Sequence, residues 1–254
     1  MKYMGSKSRI TQYIIPIIQK YIDDNKIDTY IEPFVGGANV IYKVNCKNKY
    51  GSDINKYLIA VLQRVKNKEP LLDEVSRELY SEVRSNYKTG SYEDWHVGNI
   101  GFLASYNGRW FDGGYAQSGY EKTKNGERYR DYYQESKRNI LEQTDGLQDV
   151  DLKVKDYSEY IGVKNALIYC DPPYADTKQY ANSTNFDYEE FWNIMRELSK
   201  DNIVLISELN APDDFKCIWE KSVSRTMKST DNTMRATEKL FTYNKWKNKV
   251  KTKY

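Results

Sequence analysis

The stretch ALIYCDPPY, residues 166 to 174, constrains the fold more than any other part of the chain. Ala166 to Cys170 form an apolar run that reads as a buried strand, and it ends abruptly on a carboxylate and two prolines. Proline cannot donate to a sheet ladder and fixes its own φ, so the chain must leave the sheet at Asp171 with a stiff backbone and an exposed Pro172 carbonyl.

Alternating strand and helix signals surround this stretch. Isoleucines 10, 14, 17, 18 and 22 have helical spacing over residues 10 to 24, and TYIEPF (29 to 34) reads as a short strand. VGGANVIYKV predicts a glycine turn opening a helix, and KYGSD a second strand ending at Asp53. Further strands are expected at DLKVKD (151 to 156) and NIVLISEL (202 to 209), with a helix near 188 to 200 between the Pro-Pro turn and the latter. KSVSRTMKS and EKLFTYNKW read as a pair of extended segments. Strands alternating with helices argue an α/β fold with a largely parallel, doubly wound sheet. The middle, residues 57 to 150, breaks the rhythm with charged helical patterns and a long irregular stretch, YNGRWFDGGYAQSGYEKTKNG. Loops of that length are functional or disordered. The aromatics Tyr106, Trp110, Phe111, Tyr115 and Tyr120 favour function, because disordered linkers are poor in them.

Composition narrows the function classes. Three scattered cysteines and one histidine, with no CxxC, speak against a disulfide framework and a Cys/His metal site and point to a reducing cytoplasm. YIIPII is too short to span a membrane. The net charge of +3 hides an asymmetry: from Lys216 onward there are 11 Lys and Arg against 3 Asp and Glu. Lysines 245, 247, 249, 251 and 253 alternate as they would on one face of a strand, which suits either a solvated terminus or contact with a polyanion.

In doubly wound folds, ligands bind beyond the carboxyl ends of the strands. EPFVGG and DPPY both follow strands, Gly36 and Gly37 allow close backbone approach, and Asp53 is placed to accept hydrogen bonds from ribose hydroxyls. No GxGxxG is present, which disfavours a dinucleotide; an ordinary tight turn, with Asp53 capping a helix, is the alternative. DPPY shifts the balance. Asp171 and the Pro172 carbonyl can present two acceptors side by side, and Tyr174 a flat stacking face. Drawing the protons of an aminopurine amine toward two acceptors localises its lone pair and aims it at an electrophile.

At this point the chain resembles the Dam-type DNA N6-adenine methyltransferases, which use S-adenosyl-L-methionine. KYMGSK is similar to the family's opening motif, EPFVGG to its cofactor loop and DPPY to its catalytic motif, in the family's order. The resemblance implies a Rossmann-like methyltransferase domain from 1–56 and 151–254, interrupted by a mainly helical target-recognition insertion at 57–150. It implies cofactor contacts at Tyr3, Lys7, Glu32, Phe34, Gly36, Gly37, Asp53, Asp156 and Asp171, with Asp156 holding the cofactor's adenine amine. It assigns Asp171, Pro172, Pro173 and Tyr174 to catalysis, and Tyr106, Asn107 and Arg109 of YNGRW to DNA. Tyr3 stands where tryptophan is more usual, and the loop after Asn107 differs from the Dam pattern, so the resemblance leaves GATC specificity open.

The expected function is therefore methyl transfer to the N6 of a flipped-out adenine in double-stranded DNA, without a metal, in the cytoplasm of a bacterium or a phage-infected cell. The protein would act as a monomer or dimer, with a restriction endonuclease as a partner it could have. Methylation of RNA adenine or of cytosine N4 uses the same amine logic. A catalytically silent DNA-binding decoy is the rival from another class, and cofactor binding separates it. Cytosine C5 chemistry would need a cysteine after a proline, which the chain lacks, and zinc deamination a PCxxC motif, also lacking.

Overall fold

A computed structural model of the chain describes residues 1–3, 5–123, 126–174, 186–224 and 235–243. The lysines at 245 to 253 lie outside the described residues. Two compact units emerge: Met1–Ile17, Val35–Asn45 and Lys49–Lys155 form one, and Ile18–Phe34, Cys46–Asn48 and Asp156–Tyr254 form the other.

The second unit holds most of the sheet. Its strands lie in the order β1 (Thr29–Glu32), β6 (Ala166–Cys170), β7 (Ile203–Glu208), β9 (Arg235–Tyr243) and β8 (Phe215–Ser224). β1, β6 and β7 run parallel, with Tyr30 opposite Leu167 and Ile168 opposite Val204; β9 is antiparallel to both of its neighbours. Every residue of β6 and β7 is buried, as strands covered on both faces must be. Helix α6 (Tyr188–Leu198) makes the β6-to-β7 crossover, and Phe191, Met195 and Leu198 join Ile168, Cys170, Val204, Ile206, Phe215 and Phe241 in one core.

The first unit pairs β2 (Asn48–Asp53) in parallel with β5 (Val150–Val154). Between them come α2 (Lys56–Lys66), α3 (Arg77–Asn86), α4 (Asp94–Gly98), the hairpin β3 (Gly119–Thr123) and β4 (Gly126–Arg130), and α5 (Tyr132–Leu141). Helix α1 (Thr11–Asn25) buries Ile14, Ile18 and Ile22, and no helix among the described residues is long and apolar enough to cross a membrane.

The mixed α/β, parallel-dominated architecture is the expected fold class. One local expectation needs correction. The glycine turn after β1 opens no α-helix, only a single 3-10 turn at Ile41–Lys43. Gly36 and Ala38 take left-handed φ of 46° and 55°, and the β-branched Val40, Ile41 and Val44 are buried rather than spread along a helical face. Among the helices of the middle, β3 and β4 pair through residues with no apolar face to announce them.

Candidate active site

Within the second unit, parallel pairing of β1 with β6 brings their carboxyl ends side by side, so EPF and DPPY leave the sheet next to each other. Phe34 stacks on Tyr157 with ring centroids 5.2 Å apart. Phe186 and Phe191 meet it edge-on. Glu32 is buried and accepts the Tyr30 hydroxyl at 2.6 Å. Asp156 caps the turn Tyr157–Tyr160 in a capping box with Glu159, its Oδ1 accepting from the Ser158 N–H at 2.9 Å and the Ser158 hydroxyl at 2.6 Å.

The Pro-Pro turn is held from two directions that the sequence does not announce. The Tyr188 hydroxyl donates to the Pro173 carbonyl at 2.9 Å, and the Tyr174 hydroxyl donates to Glu238 Oε2 at 2.7 Å. Tyr174 is only 8% exposed, so its ring faces are covered here by protein. Burial and the neighbouring carboxylates of Asp171 and Glu238 push its phenol far above the ordinary value, which keeps it a hydrogen-bond donor. Beneath the turn, the Tyr169 hydroxyl pairs with Ser207 at 2.8 Å.

The first unit holds the remaining residues expected to touch a cofactor. Tyr3 lies over the glycine pair: a Cβ on Gly36 would come within 3.1 Å of the ring, and one on Gly37 within 2.8 Å of the Tyr3 Cβ. Lys7 is buried in a short turn capped by Ser6. Asp53 Oδ2 accepts the Gly36 N–H at 3.3 Å and Oδ1 the Asn55 N–H at 3.0 Å. Burial nevertheless raises its carboxyl from 3.8 to about 6, because those backbone donors compensate only in part. The alternative role for Asp53, as a helix cap, is overturned: Asn55 caps α2, accepting from Tyr57 and Leu58 N–H. A carboxylate has about four lone-pair sites, and the backbone N–H groups of Gly36, Ile54 and Asn55 do not fill them, so this one can still accept from a hydroxyl-bearing ligand. The residues present therefore fit a nucleoside-bearing cofactor.

Also in the first unit, the YNGRW loop exposes Tyr106, Asn107 and Arg109 and buries Gly108 and Trp110. Asn107 and Trp110 have left-handed φ of 55° and 39°, a conformation rare for a side chain as bulky as tryptophan that the packing below must hold. Trp110 stacks on Tyr57 at 5.4 Å and touches Phe102 and Phe111, and a Cβ on Gly108 would strike the Lys2 carbonyl. The expectation that the loop's aromatics are functional as a group thus needs correction. Trp110 and Phe111 are core, and Tyr115 anchors the loop through its hydroxyl to Val75 O at 2.7 Å; Tyr106 and Tyr120 remain exposed.

A family model described as D12 class N6 adenine-specific DNA methyltransferase matches residues 3–205 of the chain. The Type II methyltransferase M.MjaIII of Methanocaldococcus jannaschii is 25% identical over 221 residues, which cover 75% of this chain and 74% of that protein. The Type II methyltransferase M.FokI of Planomicrobium okeanokoites is 25% identical over 219 residues, covering 78% of this chain but 32% of that longer protein. A solved structure from Pyrococcus horikoshii, provisionally named an RNA methyltransferase, aligns with 92% of this chain and 82% of its own at 8% identity and a TM-score of 0.40.

Proposed function

The chain belongs to the D12 class N6 adenine-specific DNA methyltransferases, and from that premise we propose that it is a Dam-type enzyme methylating a flipped-out adenine at a specific duplex site. S-adenosyl-L-methionine supplies the methyl group when bound. In the first unit, Asp53 would take the cofactor's ribose hydroxyls, with Tyr3, Lys7, Gly36 and Gly37 as its other expected contacts there; in the second, Asp156 would take its adenine amine, with Glu32, Phe34 and Asp171 as expected contacts. The observation that carries the reading is the Asp-Pro-Pro-Tyr turn at the carboxyl end of a fully buried strand, beside the end of β1.

Asp171 and the Pro172 carbonyl accept the two N–H bonds of the target amine, which pulls its lone pair out of the purine ring. The N–C bond would form as the donor's S–CH3 bond breaks, the electron pair of that bond staying on sulfur, and the amine, cationic as it forms, would lose a proton toward Asp171. Removing the base from the stack costs on the order of a few kcal/mol, which the contacts made to the extruded base must offset. Catalysis then rests on positioning, with no covalent intermediate on the protein. Tyr106, Asn107 and Arg109 would meet the duplex from a loop whose backbone is fixed by the aromatic layer below. The likeness to two Type II methyltransferases supports a restriction-modification setting with a cognate endonuclease, acting on DNA in the cytoplasm.

Nucleoside mass spectrometry on DNA from a host expressing the protein tests the reading. N6-methyladenine is expected with the wild type and none with Asp171→Ala. N4-methylcytosine instead would give the reaction to the cytosine alternative, and an unmodified genome with intact cofactor binding would defeat methyl transfer to DNA altogether.

A further inference from the structure

We propose that Glu238 and Tyr188 are positioning residues that lock the Asp171–Tyr174 turn, an inference that rests on the methyltransferase reading above. The argument comes from which torsions of this turn are already fixed. Proline rings fix φ at 172 and 173. Asp171 and Pro172 each precede a proline, which restricts their ψ to the extended region. Among the soft torsions that remain are ψ of Pro173, which aims its carbonyl, and the side-chain torsions of Tyr174. The two hydrogen bonds fall on these. Tyr188 holds the Pro173 carbonyl at 2.9 Å, and Glu238 holds the Tyr174 hydroxyl at 2.7 Å.

The placement of Glu238 is hard to explain by stability. It lies on β9 and is 8% exposed, as is Tyr174. Burying a carboxylate is unfavourable even when it is paired, and apolar residues of similar volume commonly do as well or better. Phenylalanine at 174 facing an apolar residue at 238 would fill the same space. A buried hydroxyl–carboxylate bond adds direction: it fixes the angle of the ring that closes the turn carrying Asp171 and the Pro172 carbonyl. Neither Glu238 nor Tyr188 belongs to the DPPY motif, and Glu238 lies beyond the residues matched by the family model. Both act through the turn.

The test uses the full-length chain with radiolabelled S-adenosyl-L-methionine and genomic DNA lacking adenine methylation. Tyr188→Phe and Glu238→Ala should each lower kcat, by up to on the order of 10²-fold, the effect of a misplacement of about 1 Å. KM for the cofactor should stay within twofold or so of the wild type, because no cofactor contact is removed. Glu238→Gln keeps an acceptor of the same reach and should return most of the lost rate. Combining Tyr174→Phe with Glu238→Ala should cost no more than Tyr174→Phe alone, the signature of one shared interaction. If Glu238→Ala does not fold, Tyr174→Phe and Tyr188→Phe, which each remove one oxygen atom, carry the test. Wild-type kcat in folded Tyr188→Phe and Tyr174→Phe, or equal losses in Glu238→Gln and Glu238→Ala, would overturn the inference. A wild-type protein that methylates no DNA would instead bring down the reading beneath it, so the two failures are distinguishable.

Discussion

The Asp171–Tyr174 turn and the Tyr106–Trp110 loop are of similar length and each buries its closing aromatic, yet they treat their other side chains differently. In the turn, the aromatic side chain is covered and its hydroxyl is satisfied inside the protein by Glu238. In the loop, Gly108 and Trp110 are covered, while Tyr106, Asn107 and Arg109 face outward. The difference follows from the work each would do. A group that activates an amine gains by being held in place before the substrate arrives, since no reorganisation is then needed during the reaction. A group that reads a duplex must reach a partner outside the protein, and only its backbone can be fixed beforehand.

The largest expected effect tests the loop's foundation. Trp110→Ala empties the centre of the layer formed with Tyr57, Tyr87, Phe102 and Phe111. It should cost about 3–5 kcal/mol of stability in chemical denaturation. A loss below about 1 kcal/mol would mean that the loop is not anchored from beneath, and the contrast with the turn would collapse.

Asp171→Asn probes the turn. The amide keeps the shape but can no longer take up a proton, so kcat should fall by on the order of 10²–10³, the cost of losing one group aimed at developing charge. The melting temperature should stay near that of the wild type. Turnover at the ordinary rate would remove Asp171 from the chemistry.

Arg109→Ala separates reading from holding. An exposed guanidinium can recognise a guanine edge with roughly 1–3 kcal/mol of discrimination, while removing it should change stability by no more than about 0.5 kcal/mol. Competition between cognate and near-cognate duplexes should show a narrowed margin. An unchanged margin would move recognition elsewhere in the first unit.

The parts of this architecture legible in the sequence are those whose signal is local. β6 and β7 declare themselves as unbroken apolar runs, α1 by isoleucines four residues apart, and the turn by two prolines that no strand could carry. The clamps on the turn are different. Glu238 lies 64 residues beyond Tyr174, and nothing at either position marks the pair before folding joins them. The hairpin β3–β4 hid for another reason: none of its residues is fully buried, and without a buried face the period-two pattern has nothing to repeat. Trp110 and Tyr106 look equally aromatic in sequence, and only packing assigns one to the core and the other to the surface.

Asp53, in the first unit, is half-buried and bound by backbone N–H groups, and burial raises its carboxyl to about 6. Ribose hydroxyls need the ionised carboxylate as acceptor, so affinity for S-adenosyl-L-methionine should fall as pH drops through that value, by about tenfold between about pH 7 and pH 5 for one proton taken up. Stability of the cofactor-free protein should move the other way. A carboxyl raised above its unfolded value of 3.8 contributes stability that is fully present below about 4 and lost as pH rises through about 6, because the folded state holds its proton more tightly. Acidification over that window should therefore firm the empty site while weakening its hold on the cofactor. Asp53→Asn should abolish both trends, with weak affinity at either pH and no contribution from this position to the change in melting temperature. Calorimetric titrations and thermal melts at the two pH values measure both. An affinity that stays flat across the window in the wild type would show that Asp53 is not the acceptor for the ribose.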